Sequence, residues 1–125
     1  MKSILIVDDI QEYSDSLVYF LTKKDVVART AASLEESKRI IEASPPDVAI
    51  IDIRLSETDL RNRDGLVLMR WLREKGFKTK VIVISAYRDF DAAIEAINEG
   101  ARYFLKKPIN LEEMENRVRE LLDEF

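Results

Sequence analysis

Two hydrophobic patterns alternate along the chain. One is a short unbroken apolar run, as in Val48-Ala49-Ile50-Ile51, which is followed by Asp52 and Ile53. A run of that length without polar interruption predicts a parallel strand covered on both faces by helices. Ser3 to Val7 and Lys80 to Ser85 repeat it. The second pattern is apolar residues at helical spacing. Ile10, Tyr13, Leu17, Phe20 and Leu21 predict a first helix up to about Thr22. Ser33 with Glu36 forms a capping-box signature, opening a second helix that ends before Pro45-Pro46. A third runs from Gly65 to Lys75 with Leu68, Met69, Trp71 and Leu72 on its apolar side, and Gly76 as its stop. In the fourth, Phe90, Ala93, Ile94 and Ile97 share one face, closed by Gly100, and this stripe, like the other leucine and isoleucine stripes, is expected in the core. In the fifth, Leu111, Met114, Val118, Leu121, Leu122 and Phe125 recur after a second capping pair, Asn110 with Glu113. Val26 to Thr30 and Arg102 to Leu105 read as two further short strands. Leu55 to Asp64 is polar, without period, and reads as a loop.

Strands and helices thus alternate five times with short connections, which predicts an α/β fold: a doubly wound, five-stranded parallel sheet with five helices. At 125 residues the natural expectation is one domain over 1–125. The net charge of −4 supplies no basic face for nucleic acid or an anionic membrane. The apolar run Ile4 to Val7 is too short for a signal or membrane-spanning segment, so a cytoplasmic protein is expected. Cysteine and histidine are both absent. That excludes disulfides, thiolate or imidazole metal sites, Cys nucleophiles and Ser-His-Asp chemistry. Any bound metal must take oxygen ligands, which favours Mg²⁺ or Ca²⁺.

A parallel sheet brings all its strand C-termini to one edge, where ligand sites gather in such folds. Asp8 and Asp9 end the first strand, Asp52 the third and Ser85 the fourth, and Lys107 follows the fifth. Such a crowd of carboxylates calls for a cation, and Mg²⁺ is usually held by one or two carboxylates with water and phosphate oxygens. One carboxylate, Asp52, remains free to act as a nucleophile toward a phosphoryl group, with Lys107 and Ser85 at hand for its oxygens. No general base is required, because an ionised carboxylate already carries its lone pair.

These pieces, in this order, resemble the response regulator receiver domain, the CheY-like family. Its acidic pair matches Asp8-Asp9, its phosphoacceptor Asp52, its Ser/Thr-Ala step Ser85-Ala86, and its closing pattern Gly100-Ala101, Phe104 and Lys107-Pro108. The resemblance covers essentially the whole chain. It implies the flavodoxin-like strand order 2-1-3-4-5 and a cis bond before Pro108. The implied function is Mg²⁺-dependent phosphoryl transfer from a histidine kinase or phosphotransfer protein to Asp52. The only catalysis implied is the chain's own phosphorylation and autodephosphorylation, not turnover of a substrate. Asp8, Asp9, Asp52 and the backbone carbonyl of Arg54 are the implied metal ligands. Ser85 and Phe104 are the implied switch residues, reshaping the face made by the fourth helix, fifth strand and fifth helix. Arg54, Ala86 and Tyr87 are the implied rim. A downstream output protein or domain and a phosphorylation-dependent homodimer are implied partners, whether the chain acts alone or within a longer regulator.

Two other functions compete. A phosphatase of the haloacid-dehalogenase type also uses an Asp nucleophile, but wants a second Asp where Arg54 stands. A pseudo-receiver would bind partners without being phosphorylated. The chain also departs from the family pattern. Ser56 replaces the usual proline, and the following glycine comes only at Gly65, so the loop 56–64 is extended.

Overall fold

The computed structural model describes residues 1–86 and 90–123. The element order is β1 (Lys2–Val7), α1 (Gln11–Leu21), β2 (Val26–Ala31), α2 (Leu34–Ala43), β3 (Val48–Asp52), α3 (Asp64–Glu74), β4 (Lys80–Ser85), α4 (Phe90–Asn98), β5 (Tyr103–Lys106) and α5 (Leu111–Leu122). The strands form one five-stranded sheet in the order β2-β1-β3-β4-β5, with every neighbouring pair parallel. The expected alternation, topology and strand order are all present. Tyr87 and Phe125 lie outside the described residues.

Side chains of a strand point alternately to its two faces, so each apolar run feeds two cores. Ile4 and Ile6, Val48 and Ile50, and Ile82 and Ile84 pack on one face against Leu17 and Leu21 of α1 and Met114, Val118 and Leu121 of α5. Leu5 and Val7, Ala49 and Ile51, and Val81 and Val83 pack on the other against Ile41 of α2, Leu68, Met69 and Leu72 of α3, and Ala92 and Ala96 of α4. β3 is buried along its whole length. This explains why its sequence reads as a run and not as an alternation.

The helix ends follow local chemistry. Ser33 Oγ accepts from the Glu36 amide at 3.2 Å, while Glu36 Oε1 accepts from the Ala32 amide, closing the box one residue early. Asn110 Oδ1 accepts from the Glu113 amide at 2.9 Å. Gly76, at φ +77°, ends α3 in a paired-bond stop. Its own amide donates to Arg73, and that of Phe77 donates to Leu72.

The fourth helix corrects one expectation. Its core-facing residues are Ala92 and Ala96, both fully buried, whereas Ile94 and Ile97 are 60% and 50% exposed. The alanines are the side chains that α4 gives to the core, and the stripe marked by its isoleucines faces outward.

Gly65 matters most for the site. Its amide donates to the Ile53 carbonyl at 2.9 Å. A Cβ built on it would stand 2.1 Å from the Asp52 carbonyl oxygen. The first turn of α3 therefore rests directly on the backbone that carries Asp52, and only glycine fits between them. Gly65→Ala is expected to lower stability by about 1–3 kcal/mol or more through overpacking. Denaturant melts check this, and an unchanged midpoint would show that the contact relaxes freely.

Candidate functional site

The register sets the site. Val7 pairs with Ile51, Asp52 with Ile84, and Ser85 with Lys106, so the ends of β1, β3, β4 and β5 meet at one level. Asp8 continues β1, its amide donating to the Ala31 carbonyl at 3.1 Å. Lys107 follows β5, its amide donating to the Ser85 carbonyl at 2.8 Å, and its bond to Pro108 is cis, as expected.

Lys107 joins the strand ends. Its Nζ donates to Asp8 Oδ2 at 2.9 Å and to Asp52 Oδ2 at 2.8 Å. The three side chains are 6%, 0% and 8% exposed, respectively. Asp8 Oδ1 accepts from the Ile10 amide at 2.9 Å, so Asp8 helps to hold the entry to α1 as well as pairing with Lys107. Among the described residues, the contact to Asp52 Oδ1 is a long one, 3.4 Å, from the Arg54 amide. Asp9 is half-buried beside them. Asp8, Asp9 and Asp52 can each offer an oxygen such that all three lie within 4.8 Å of one another.

A cavity of about 30 Å³ opens between Asp9, Asp52, Arg54, Glu57, Ala86 and Lys107. A site of that size has room for water-sized ligands. The three candidate donors, Asp8, Asp9 and Asp52, all offer oxygen, and they fit a small hard dication.

Electrostatics follow from burial and crowding. Burial pushes the Asp52 carboxyl up from 3.8 to about 6, although Lys107 pulls the other way. Asp9 is also raised, first by burial and then by the neighbouring Asp8 and Glu57 carboxylates. Burial alone would lower the Lys107 ammonium, but Asp52 and Asp8 outweigh it and hold it above its ordinary value.

Ser85 is buried and lines a neighbouring cavity of about 170 Å³ with Ile53, Arg54, Leu60 and Asn62; the smaller cavity has Ala86 on its wall instead. Phe104 is half-buried and packs on the core beneath α2, α3 and α4. Its neighbour Tyr103 takes the opposite face, with its hydroxyl hydrogen-bonded to Glu120 and Arg117 over its ring at 4.7 Å.

Sequence reasoning missed four residues here. Ser56 and Glu57 reach the cavity wall from the extended loop. Asn62 clasps that loop at its base: its Oδ1 accepts from the Leu55 and Asp64 amides at 3.0 and 2.9 Å. Tyr13 covers Lys107 from α1, with the ring centroid 4.3 Å from Nζ. The available signal was weak: an Asn two residues before a helix start can bridge backbone amides, and an aromatic in an α1 stripe can face a site as readily as a core.

A family model described as "Response regulator receiver domain" matches residues 4–119, and the chain belongs to that family. Among curated proteins it is similar to the photosynthetic apparatus regulatory protein RegA of Cereibacter sphaeroides, 32% identical over 113 residues. Those residues cover 90% of this chain and 59% of RegA. This chain thus spans about three-fifths of that relative's length. Among solved structures, a CheY-like receiver domain protein from Methanospirillum hungatei JF-1 superposes with a TM-score of 0.87 at 27% identity, covering 99% of this chain and 95% of that one. The beryllofluoride-activated NtrC4 receiver domain dimer gives 0.85 at 28% identity, covering 99% and 98%. The fold is the flavodoxin-like one of CheY, and the chain is a receiver domain of the two-component response regulators.

Proposed function

We propose that the chain, over 1–125, is a phosphoacceptor module and that Asp52 takes the phosphoryl group. The observation that carries this is the Lys107 ammonium bridging Asp8 and Asp52 beside a small open cavity at the end of β3. The donor is a phosphohistidine on a histidine kinase or phosphotransfer protein. An Asp52 carboxylate oxygen forms a bond to phosphorus as the P–N bond breaks. The electron pair leaves on the imidazole nitrogen, which takes a proton, and an acyl phosphate remains. Lys107 stays within reach of the new phosphoryl oxygens. Asp8, Asp9, Asp52 and the Arg54 carbonyl would hold Mg²⁺. When bound, Mg²⁺ supplies positive charge that offsets the carboxylates and polarises the phosphoryl oxygens. Arg54 and Ala86 flank the opening, and they govern access of water to the acyl phosphate, a role that the family resemblance extends to Tyr87.

The readout is a conformational switch, a local charge change biasing a two-state element. Ser85 is the hydroxyl that crosses from the neighbouring cavity toward the phosphoryl group, and Phe104 is the aromatic that follows. Ile94 and Ile97 leave an apolar strip on α4 for an output domain or protein, or for a second copy. The activated NtrC4 receiver is a dimer, which supports the homodimer. Among the described residues no helix is long and apolar enough to cross a membrane. A cytoplasmic protein without direct nucleic-acid contact of its own fits this reading. On this reading the chain turns over no substrate and catalyses at most its own dephosphorylation.

Acetyl phosphate with Mg²⁺ should label the protein, and hydroxylamine should remove the label and leave a hydroxamate at Asp52. A hydroxylamine-resistant label would put the phosphoryl group on a hydroxyl instead. Mg²⁺ alone should raise the melting temperature by several degrees, and Asp9→Ala should remove most of that rise. A rise that survives Asp9→Ala would contradict the ligand assignment. A folded protein that shows neither Mg²⁺ binding nor label would be a pseudo-receiver.

A further inference from the structure

We propose that Tyr13 is a positioning residue for Lys107, holding the ammonium where it can meet both Asp52 and a phosphoryl oxygen. The kinetic part of this rests on the phosphoacceptor reading above; the geometric part does not.

An ammonium has three N–H donors. Two of those on Lys107 go to Asp8 and Asp52, at 2.9 and 2.8 Å. The aromatic face of Tyr13 covers the group at 4.3 Å, well within the range of a cation–π contact. Such contacts are strongest where water is excluded, and the Lys107 side chain is only 6% exposed.

The ring is itself firmly placed. Tyr13 lies in the first turn of α1, and its amide donates to the Ile10 carbonyl at 3.1 Å. The Ile10 amide in turn donates to Asp8 Oδ1 at 2.9 Å. The turn that carries the ring is thus bonded to the same aspartate that anchors the lysine. A lysine stem has several rotatable bonds, and two carboxylates on one side fix its direction only in part. The ring closes the side that would otherwise let Nζ swing away once an Asp52 oxygen is taken up by phosphorus.

Two variants separate this from a packing role. Tyr13→Phe keeps the aromatic face and loses the hydroxyl; Tyr13→Leu keeps an apolar helix former and loses the face. The first readout uses no metal and no phosphodonor: the proton shift of the Lys107 ε-methylene by NMR. Parent and Tyr13→Phe should both show the upfield displacement of a group over a ring, and Tyr13→Leu should not. The second is the rate of label uptake from acetyl phosphate with Mg²⁺. Tyr13→Phe should stay within about twofold of the parent, and Tyr13→Leu should fall by roughly three- to thirtyfold, the span of a partly to fully desolvated contact. A Lys107 shift that is the same in all three proteins would overturn the proposal. So would a Tyr13→Leu protein labelled at the parent rate. A parent that takes no label, with the ring shift lost only in Tyr13→Leu, would uphold the positioning of Lys107 and reject Asp52 as phosphoacceptor.

Discussion

In chelator at pH 7, Asp52→Asn is expected to be more stable than the parent by about 2–3 kcal/mol. Burial raises the Asp52 carboxyl from 3.8 to about 6 in the folded chain. A raised acid means that the folded state holds a proton which the unfolded state has already released. Its contribution to stability is therefore present below about pH 4, is lost as pH rises through about 6, and stays lost at neutrality. A difference of that size corresponds to about 3 kcal/mol. Asparagine is neutral at every pH and can still accept from Lys107. The gap between the two proteins should close toward pH 4 and open toward pH 7, measured by denaturant melts across that range. Equal midpoints at pH 7, or a gap that widens on acidification, would contradict the buried, strained state of this carboxylate. The strain has a use under the proposed function: a carboxylate poorly solvated in the free protein gains most from a cation and from a bond to phosphorus.

Lys107→Ala is expected to act in the opposite direction, lowering stability in chelator by about 3–5 kcal/mol at neutral pH. Asp8 and Asp52 share this one ammonium, and all three side chains are less than a tenth exposed. Removing it leaves two buried like charges a short distance apart. Taking up a proton relieves this repulsion, so the loss should be larger at pH 8 than at pH 5. The double variant Lys107→Ala with Asp52→Asn should recover part of the loss, because one of the orphaned charges is gone. Their non-additivity measures the coupling. Additive effects would mean that Lys107 and Asp52 do not interact in solution as their 2.8 Å contact indicates.

Much of this fold was legible in the sequence because its strands are buried on both faces. Runs such as Ile4 to Val7 and Val81 to Ile84 leave no choice of face, and the residue after each run announces the sheet edge. Asp8, Asp52 and Lys107 are far apart in sequence, and the parallel topology alone was enough to bring them together. The fourth helix was read less well. Periodicity shows that Ile94 and Ile97 share a face, but not that Ala92 and Ala96 take the core side. Which side of the helix meets the sheet is decided by tertiary packing, and here it is the alanine side.

The rim was least legible. Ser56 and Glu57 reach the cavity from a loop that Asn62 clasps at its base with bonds to amides on both of its sides. No period or motif encodes such a clasp. Tyr13 was visible as part of an apolar helical stripe, where its covering of Lys107 could not be told from ordinary packing.

The most direct test of Asp52 as phosphoacceptor is the intact mass of the parent and of Asp52→Asn after incubation with acetyl phosphate and Mg²⁺. The parent should gain one phosphoryl group and the variant none. An equal gain in both, or no gain in a parent that remains folded and binds Mg²⁺, would contradict it.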